Sequence, residues 1–261
     1  MKNSLLIISF LAIGTVTSGR GEALELRKIL QGHVTAMGGW RSWNEVASIK
    51  LSGTIAQGDE SPVDFVMVKK IPKQIRVTVT VPVPYGKEDE TLQFIRALDN
   101  ENAWMAIRPS GTMPLDKKPL NDSARDDLIA ESIILPELMH YMQTADKLEI
   151  TEAVKRPDNT YQYKIAVFPE RKTKDNYYVV SLNDKDFFVS SIETIKDGSM
   201  VATKWLEDYT DVDGIKHPTK IRTSSAKARD SILQIENITK GVGIYDEYFE
   251  QNKPKNQSLE G

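Results

Sequence analysis

The sequence predicts an α+β fold built on a single large, curved antiparallel β-sheet of about 11–12 strands. Three patterns predict it. Most of the chain alternates apolar and polar residues with the period of two that is typical of a half-buried strand. The turns between these strands are so short that they join only antiparallel neighbours. Two segments instead have the period of an amphipathic helix, one before the first strand and one between the two halves of the sheet.

The beginning of the 261-residue chain is typical of an exported protein. Lys2 precedes an apolar run from Leu5 to Val16, and small residues follow. This matches a secretory signal peptide, with cleavage after Gly19 or Ala23. We therefore expect a signal peptide at residues 1–19 and a periplasmic protein that is soluble after cleavage.

One domain is expected at residues 20–250, although length alone would also allow two. Residues 251–261 are polar without periodicity, which predicts a disordered tail. The formal net charge is −3, which argues against a nucleic-acid partner. The chain has no cysteine, so neither a disulfide nor a lipid-modified cysteine is expected.

The elements follow from these periods. A first helix is predicted over 23–37 and five strands over 49–55, 63–69, 75–81, 92–98 and 103–108. A second helix is predicted over 123–143, and Pro136 should interrupt it because proline lacks the N–H that a helix needs. Seven further strands joined by six turns begin at Lys147. A sheet this wide tends to curl, and helices covering its concave face would leave an apolar interior for a ligand.

The stretch DYTDVDGIKHP, from Asp208 to Pro218, tests for calcium binding. With Gly214 at the invariant glycine of an EF-hand loop, the first and last ligand positions fall on Tyr209 and Lys220, neither of which supplies a carboxylate. Calcium binding is therefore excluded here. Asp213-Gly214 instead predicts a two-residue type I′ hairpin turn.

No local motif predicts catalysis. The three histidines are far apart in sequence, and the chain has no nucleophile elbow, P-loop or dinucleotide fingerprint. Glu137 and His140 form a single E-x-x-H, whereas di-iron bundles need two such motifs. We therefore expect no enzyme activity, no metal and no cofactor, although a catalytic group assembled only in three dimensions stays open.

Aromatic, methionine and aliphatic residues on the predicted strands and second helix suggest an apolar pocket. Methionine adapts to varied apolar shapes, which suits acyl chains, while core packing is the competing interpretation for each residue. The candidate lining residues are Phe65, Met67, Val77, Val79, Phe94, Trp104, Leu138 and Met142.

Three stretches resemble a known family. The first is Gly38-Gly39 followed by WRSWNEVASIKLSG, the second is DYTDVDGIKHPTKI, and the third is ITKGVGIYDEYFE near the end. They are similar to the outer-membrane lipoprotein-sorting (LolA-like) superfamily, in particular to exported members without an assigned role. The order of elements agrees over nearly the whole mature chain.

The resemblance implies an incomplete barrel around a hydrophobic cavity, with the helices as a lid. It implies a periplasmic carrier or binding protein for the acyl chains of a lipid or lipoprotein. Inner- and outer-membrane transfer proteins are then possible partners, and we expect a monomer. The alternative is an envelope sensor or interaction module on the same fold, without lipid transfer. Arg76 and Arg96 are the candidates for the arginine that contacts the lid in the carriers.

Overall fold

The computed structural model describes residues 24–83, 90–112, 116–169, 175–226 and 228–250. The predicted signal peptide and tail lie outside these ranges. The described residues form four α-helices, which are α1 (Leu26–Ala36), α2 (Gly39–Asn44), α3 (Asp122–Glu131) and α4 (Glu137–Thr144). The strands of the first half are β1 (Ser48–Gln57), β2 (Val63–Lys70), β3 (Gln74–Pro82), β4 (Thr91–Asp99), β5 (Asn102–Pro109) and β6 (Lys118–Pro119). The strands of the second half are β7 (Ala145–Lys155), β8 (Tyr161–Pro169), β9 (Tyr177–Asn183), β10 (Val189–Lys196), β11 (Ser199–Val212), β12 (Ile215–Ser225) and β13 (Ala228–Lys240).

All these strands belong to one open antiparallel sheet. Its order is β6-β5-β4-β3-β2-β1-β13-β12-β11-β10-β9-β8-β7, so each half is a meander and the two meet where β1 pairs with β13. Among the described strands, β6 and β7 are the unpaired edges. The structure confirms the predicted α+β half-barrel. It has 13 strands in place of about 11–12, because the two-residue β6 was too short to predict.

The predicted second helix is two helices. α3 ends at Glu131, residues 132–136 connect, and α4 begins after Pro136. The interruption lies where proline was expected to cause it. We call residues 120–144 the lid, because they leave the sheet at one edge and return at the other. No helix within the described ranges is long and apolar enough to cross a membrane.

The helices cover the concave face of the sheet. Ile29 of α1 and Leu138 of α4 are fully buried and share a core cluster with strands of the second half. Leu128 of α3 is also fully buried, against β3 and β4 of the first half. The lid is therefore attached to both halves of the sheet through buried leucines.

The hairpin that the sequence predicts at Asp213-Gly214 is confirmed. Both residues have positive φ, 48° and 85°, as a type I′ turn requires. The turn lies against Gly38, where an added Cβ would be only 2.0 Å from the Gly214 carbonyl oxygen. Two of the stretches that resemble the family thus pack against each other, and only glycine fits at the contact.

The third stretch crosses the outer face of the first half as a C-terminal strap, residues 241–250. Phe249 is fully buried there, and its carbonyl oxygen accepts a hydrogen bond of 2.7 Å from Trp104 Nε1. Lys70 Nζ donates to the Ile244 carbonyl oxygen at 2.8 Å and pairs with Asp246 Oδ1 at 2.6 Å. The strap closes the outer core as the helices close the concave one.

Phe249→Ala should lower the free energy of unfolding by about 3 kcal/mol, because it removes a fully buried ring. Urea denaturation followed by tryptophan fluorescence measures this. Tyr245→Ala, in the same strap at 83% exposure, is the matched control and should change the stability by less than about 0.5 kcal/mol. Equal effects of the two substitutions would show that the strap is not anchored by Phe249.

Candidate functional site

Strand register places apolar side chains in rows on the concave face of the first half. Phe65 pairs with Val79, and Met67 pairs with Val77. Val79 in turn pairs with Phe94. Directly opposite residues of an antiparallel pair point to the same face, and these residues share it with core residues that the helices cover.

Phe94 extends this row by pairing with Ile107 on β5. We call the set the apolar wall, and its members are Phe65, Met67, Val77, Val79, Phe94 and Ile107. Phe65 and Val77 are buried, Met67 and Val79 are half-buried, and Phe94 and Ile107 are 40% and 51% exposed. The wall therefore runs from the core to an accessible apolar end.

The other predicted lining residues are placed differently. Leu138 and Met142 lie on α4, where Leu138 is fully buried in the core and Met142 is half-buried. Trp104 pairs with Ala97 and lies on the outer face, beneath the C-terminal strap. The prediction that Trp104 lines the concave pocket is therefore wrong. A period of two separates the two faces of a strand but does not tell which face is concave.

Charged side chains on the concave face reach the lid. Lys204 Nζ on β11 lies 2.8 Å from Glu137 Oε1, in the first turn of α4. Lys69 Nζ on β2 donates a hydrogen bond of 3.0 Å to the Ile133 carbonyl oxygen, between α3 and α4. The lid is thus tied to both halves of the sheet by polar contacts as well as by its leucines.

A third cation completes this group. Arg96 Nη2 on β4 lies 3.9 Å from Glu131 Oε2 at the end of α3, which is ion-pair distance but not a hydrogen bond. We call the set the charged cluster, and its members are Lys69, Arg96, Glu131, Glu137 and Lys204. Of the two arginines considered from the sequence, Arg96 lies near the lid. Arg76 lies on the outer face over the Tyr248 ring.

The environment sets the charges of this cluster. Desolvation alone would raise the pKa of Glu137, but Lys204 through its charge and hydrogen bond, with a further contribution from Lys69, lowers this pKa to about 2. Desolvation lowers the pKa of His217, a neighbour on β12, to about 4. At neutral pH Glu137 is therefore charged and His217 is neutral.

The cluster is deep yet accessible. Burial is the largest influence on the pKa of Glu137, but 38% of its side chain and 40% of that of Lys204 remain accessible to water. The pair is therefore in contact with water. We call the region between the lid and the concave strands that carry the apolar wall and the three cations the cleft.

This arrangement suits ion pairing better than acid–base chemistry. A general base working near neutral pH needs a pKa close to 7, whereas the pKa of Glu137 is about 2 and that of His217 about 4. Within the described part of the chain, no three His, Cys, Asp or Glu side chains are grouped so as to hold a metal.

Lys69 and Lys204 were not predicted from the sequence, although their spacing from apolar residues on the same strands indicates that they face the core. Lys69 lies two residues after Met67, and Lys204 two residues before the buried Leu206. Each lysine is therefore on the apolar face of its strand, where an unpaired charge is costly and calls for a partner.

No protein-family model matches the chain, and no curated protein matches it in sequence. Solved structures do match in fold. A LolA superfamily protein from Nitrosomonas europaea has a TM-score of 0.55 and 13% identity, covering 88% of this chain and 99% of that one. A DUF1329 family protein from Desulfovibrio piger has a TM-score of 0.54 and 14% identity, covering 86% of this chain and 97% of that one.

A domain assigned to outer-membrane lipoprotein sorting from Vibrio parahaemolyticus has a TM-score of 0.51 and 10% identity, covering 85% of this chain and 94% of that one. The fold of this protein is therefore LolA-like, as the sequence resemblance implies. At these identities the likeness concerns the fold alone.

Glu137→Gln should lower the free energy of unfolding by about 1–2 kcal/mol at pH 7. The loss falls below the 3–5 kcal/mol of a fully buried pair because about 40% of each side chain is accessible. Chemical denaturation measures it. Glu45→Gln is the matched control, because its pair with Arg41 is solvent-exposed and should contribute less than about 0.5 kcal/mol.

The same variant tests the sign of the pH dependence. The folded-state pKa of Glu137 lies below its ordinary value of 4.5, so the pair's stabilisation is present above that pH and is lost as the pH falls through about 2. The stability difference between wild type and E137Q should therefore narrow between these two pH values. A constant difference would contradict the assignment of an ion pair to Glu137.

Proposed function

We propose that this protein is a periplasmic carrier or binding protein for the acyl chains of a lipid or lipoprotein, which it holds in the cleft. The observation that carries the proposal is the apolar wall. It leads without interruption from buried Phe65 to Phe94 and Ile107, which are 40% and 51% exposed. A contiguous exposed apolar surface on a folded protein marks a binding site.

The lid supports entry of a ligand. Leu128 and Leu138 anchor the two helices, and the connection over residues 132–136 is held both by the hydrogen bond from Lys69 to the Ile133 carbonyl oxygen and by the packing of Ile134 and Leu135 on the core. Water replaces polar contacts at low net cost, whereas it does not replace buried apolar ones. The polar contacts are thus the part of the lid's attachment that an entering ligand would displace most readily.

Two further observations support the proposed periplasmic location and the proposed partners. The export-like start of the sequence favours the periplasm, and one structural neighbour is assigned to lipoprotein sorting. Inner- and outer-membrane proteins that deliver or receive the lipid are the partners that a carrier requires. Binding of acyl chains uses no covalent chemistry, so the proposal needs neither a cofactor nor a metal.

Phe94→Ala should weaken the binding of a fluorescent fatty-acyl probe by roughly tenfold, because it removes a ring that the acyl chain would cover. Titration of the purified protein with the probe measures this. Ile232→Ala is the control. It is 44% exposed but lies on the outer face, because it pairs with Ala56, between the cleft-facing positions of β1. Its substitution should leave the affinity unchanged.

Native mass spectrometry of the protein from its periplasm complements the titration, with co-purified lipid as the expected result. Absence of bound lipid together with no uptake of the probe would overturn the proposal. A pull-down from envelope membranes that then yields one protein partner without lipid transfer would favour the sensor or interaction module.

A further inference from the structure

We infer that the ligand of the cleft is an amphiphile with an anionic head, a carboxylate or a phosphate, and that Lys69 binds that head. The inference rests on the proposed function and specifies its ligand class. It depends on the placement of Lys69 beside the apolar wall and on the charge balance of the charged cluster.

Lys69 is an interior cation with a neutral partner. Its Nζ donates to the Ile133 carbonyl oxygen, and among the described residues no carboxylate lies at ion-pair distance from it. Desolvation lowers the pKa of Lys69, while the charges of Glu137 and Glu131 act on it only from further away. An interior charge without a counterion is costly, and an anion bound beside it removes that cost.

The two carboxylates of the cluster are already engaged. Glu137 lies 2.8 Å from Lys204, and Glu131 lies 3.9 Å from Arg96. The cluster thus contains three cations and two carboxylates, and His217 adds no charge at neutral pH because its pKa is about 4. One positive charge is left over, and Lys69 is the residue on which it lies.

The apolar wall leads to this charge. On the concave face of β2, Val63, Phe65, Met67 and Lys69 follow one another at every second residue. On β4, Phe94 is followed by Arg96 on the same face. The six residue steps of strand from Val63 to Lys69 span about 20 Å, comparable with a long extended acyl chain. An apolar row ending in a cation is complementary to an acyl chain ending in an anion.

Displacement of the fluorescent acyl probe by two competitors of equal chain length tests the inference. A long-chain fatty acid, ionised at pH 8, should displace the probe at about tenfold lower concentration than the corresponding fatty alcohol. In the K69Q variant the acid and the alcohol should differ by less than about threefold. K50Q is the matched control, because Lys50 is exposed on the other face of the sheet and should leave the preference intact.

The outcomes separate this inference from the proposed function. Equal displacement by acid and alcohol would overturn the anionic head and leave acyl binding intact. A preference for the acid that survives in K69Q would overturn the role of Lys69. If neither competitor displaces the probe, the proposed function fails and the inference fails with it.

Two further arms complete the test. Inorganic phosphate alone should not displace the probe, and displacement by it would show a site for free anions and overturn the amphiphile. A single-chain phospholipid as competitor then distinguishes a phosphate from a carboxylate head. If K69Q does not fold, the preference of the wild-type protein for acid over alcohol still decides whether the head is anionic.

Discussion

The two edge strands of this sheet are consecutive in the chain, and the rest of the structure depends on that constraint. β6 lies at one edge and β7 at the other, although only residues 120–144 separate them. This segment must therefore run across the width of the curved sheet before the next strand begins. Its apolar side chains are buried against the concave face, where Leu128 packs on the first half and Leu138 on the second. The lid is a consequence of topology, and so is the cleft beneath it.

The middle of the lid is held by contacts of moderate strength. In the connection just after α3, the Ile133 carbonyl oxygen accepts a hydrogen bond from Lys69. The pair of Glu137 with Lys204 lies between a surface pair and a buried one in exposure, and we expect its strength to lie between theirs as well. Burial of one methylene contributes about 0.8 kcal/mol, so a few methylenes of an entering acyl chain offset the loss of these contacts. Binding of the proposed acyl ligand and loss of these polar contacts are therefore of comparable energy.

The fold could be predicted from the sequence because local patterns specify its strands, its turns and the break between the lid helices. Alternation revealed twelve of the strands, Pro136 marked the break in the lid, and Asp213-Gly214 specified its turn by the backbone angles it permits. The candidate site was harder to predict from the sequence than the fold. Phe65 through Phe94 could be predicted as one apolar face, but Trp104 was assigned to the wrong face because nothing local distinguishes concave from outer. Glu137 and Lys204 are 67 residues apart, and only the crossing of the lid brings them together.

The residues that determine the fold differ from the residue that we propose determines the ligand, for a physical reason. Gly38 and Gly53 each lie where an added Cβ would be 2.0 Å from a carbonyl oxygen of another strand or turn, so the sheet and its first turn demand glycine there. That demand comes from the backbone of this chain and not from a ligand, and solved structures at 10–14% identity share the architecture. Nothing in the backbone demands a lysine at Lys69, where a charge costs free energy unless something pairs with it. Residues that the fold requires therefore identify the half-barrel, whereas the charge that it does not require is the feature that we propose discriminates among ligands.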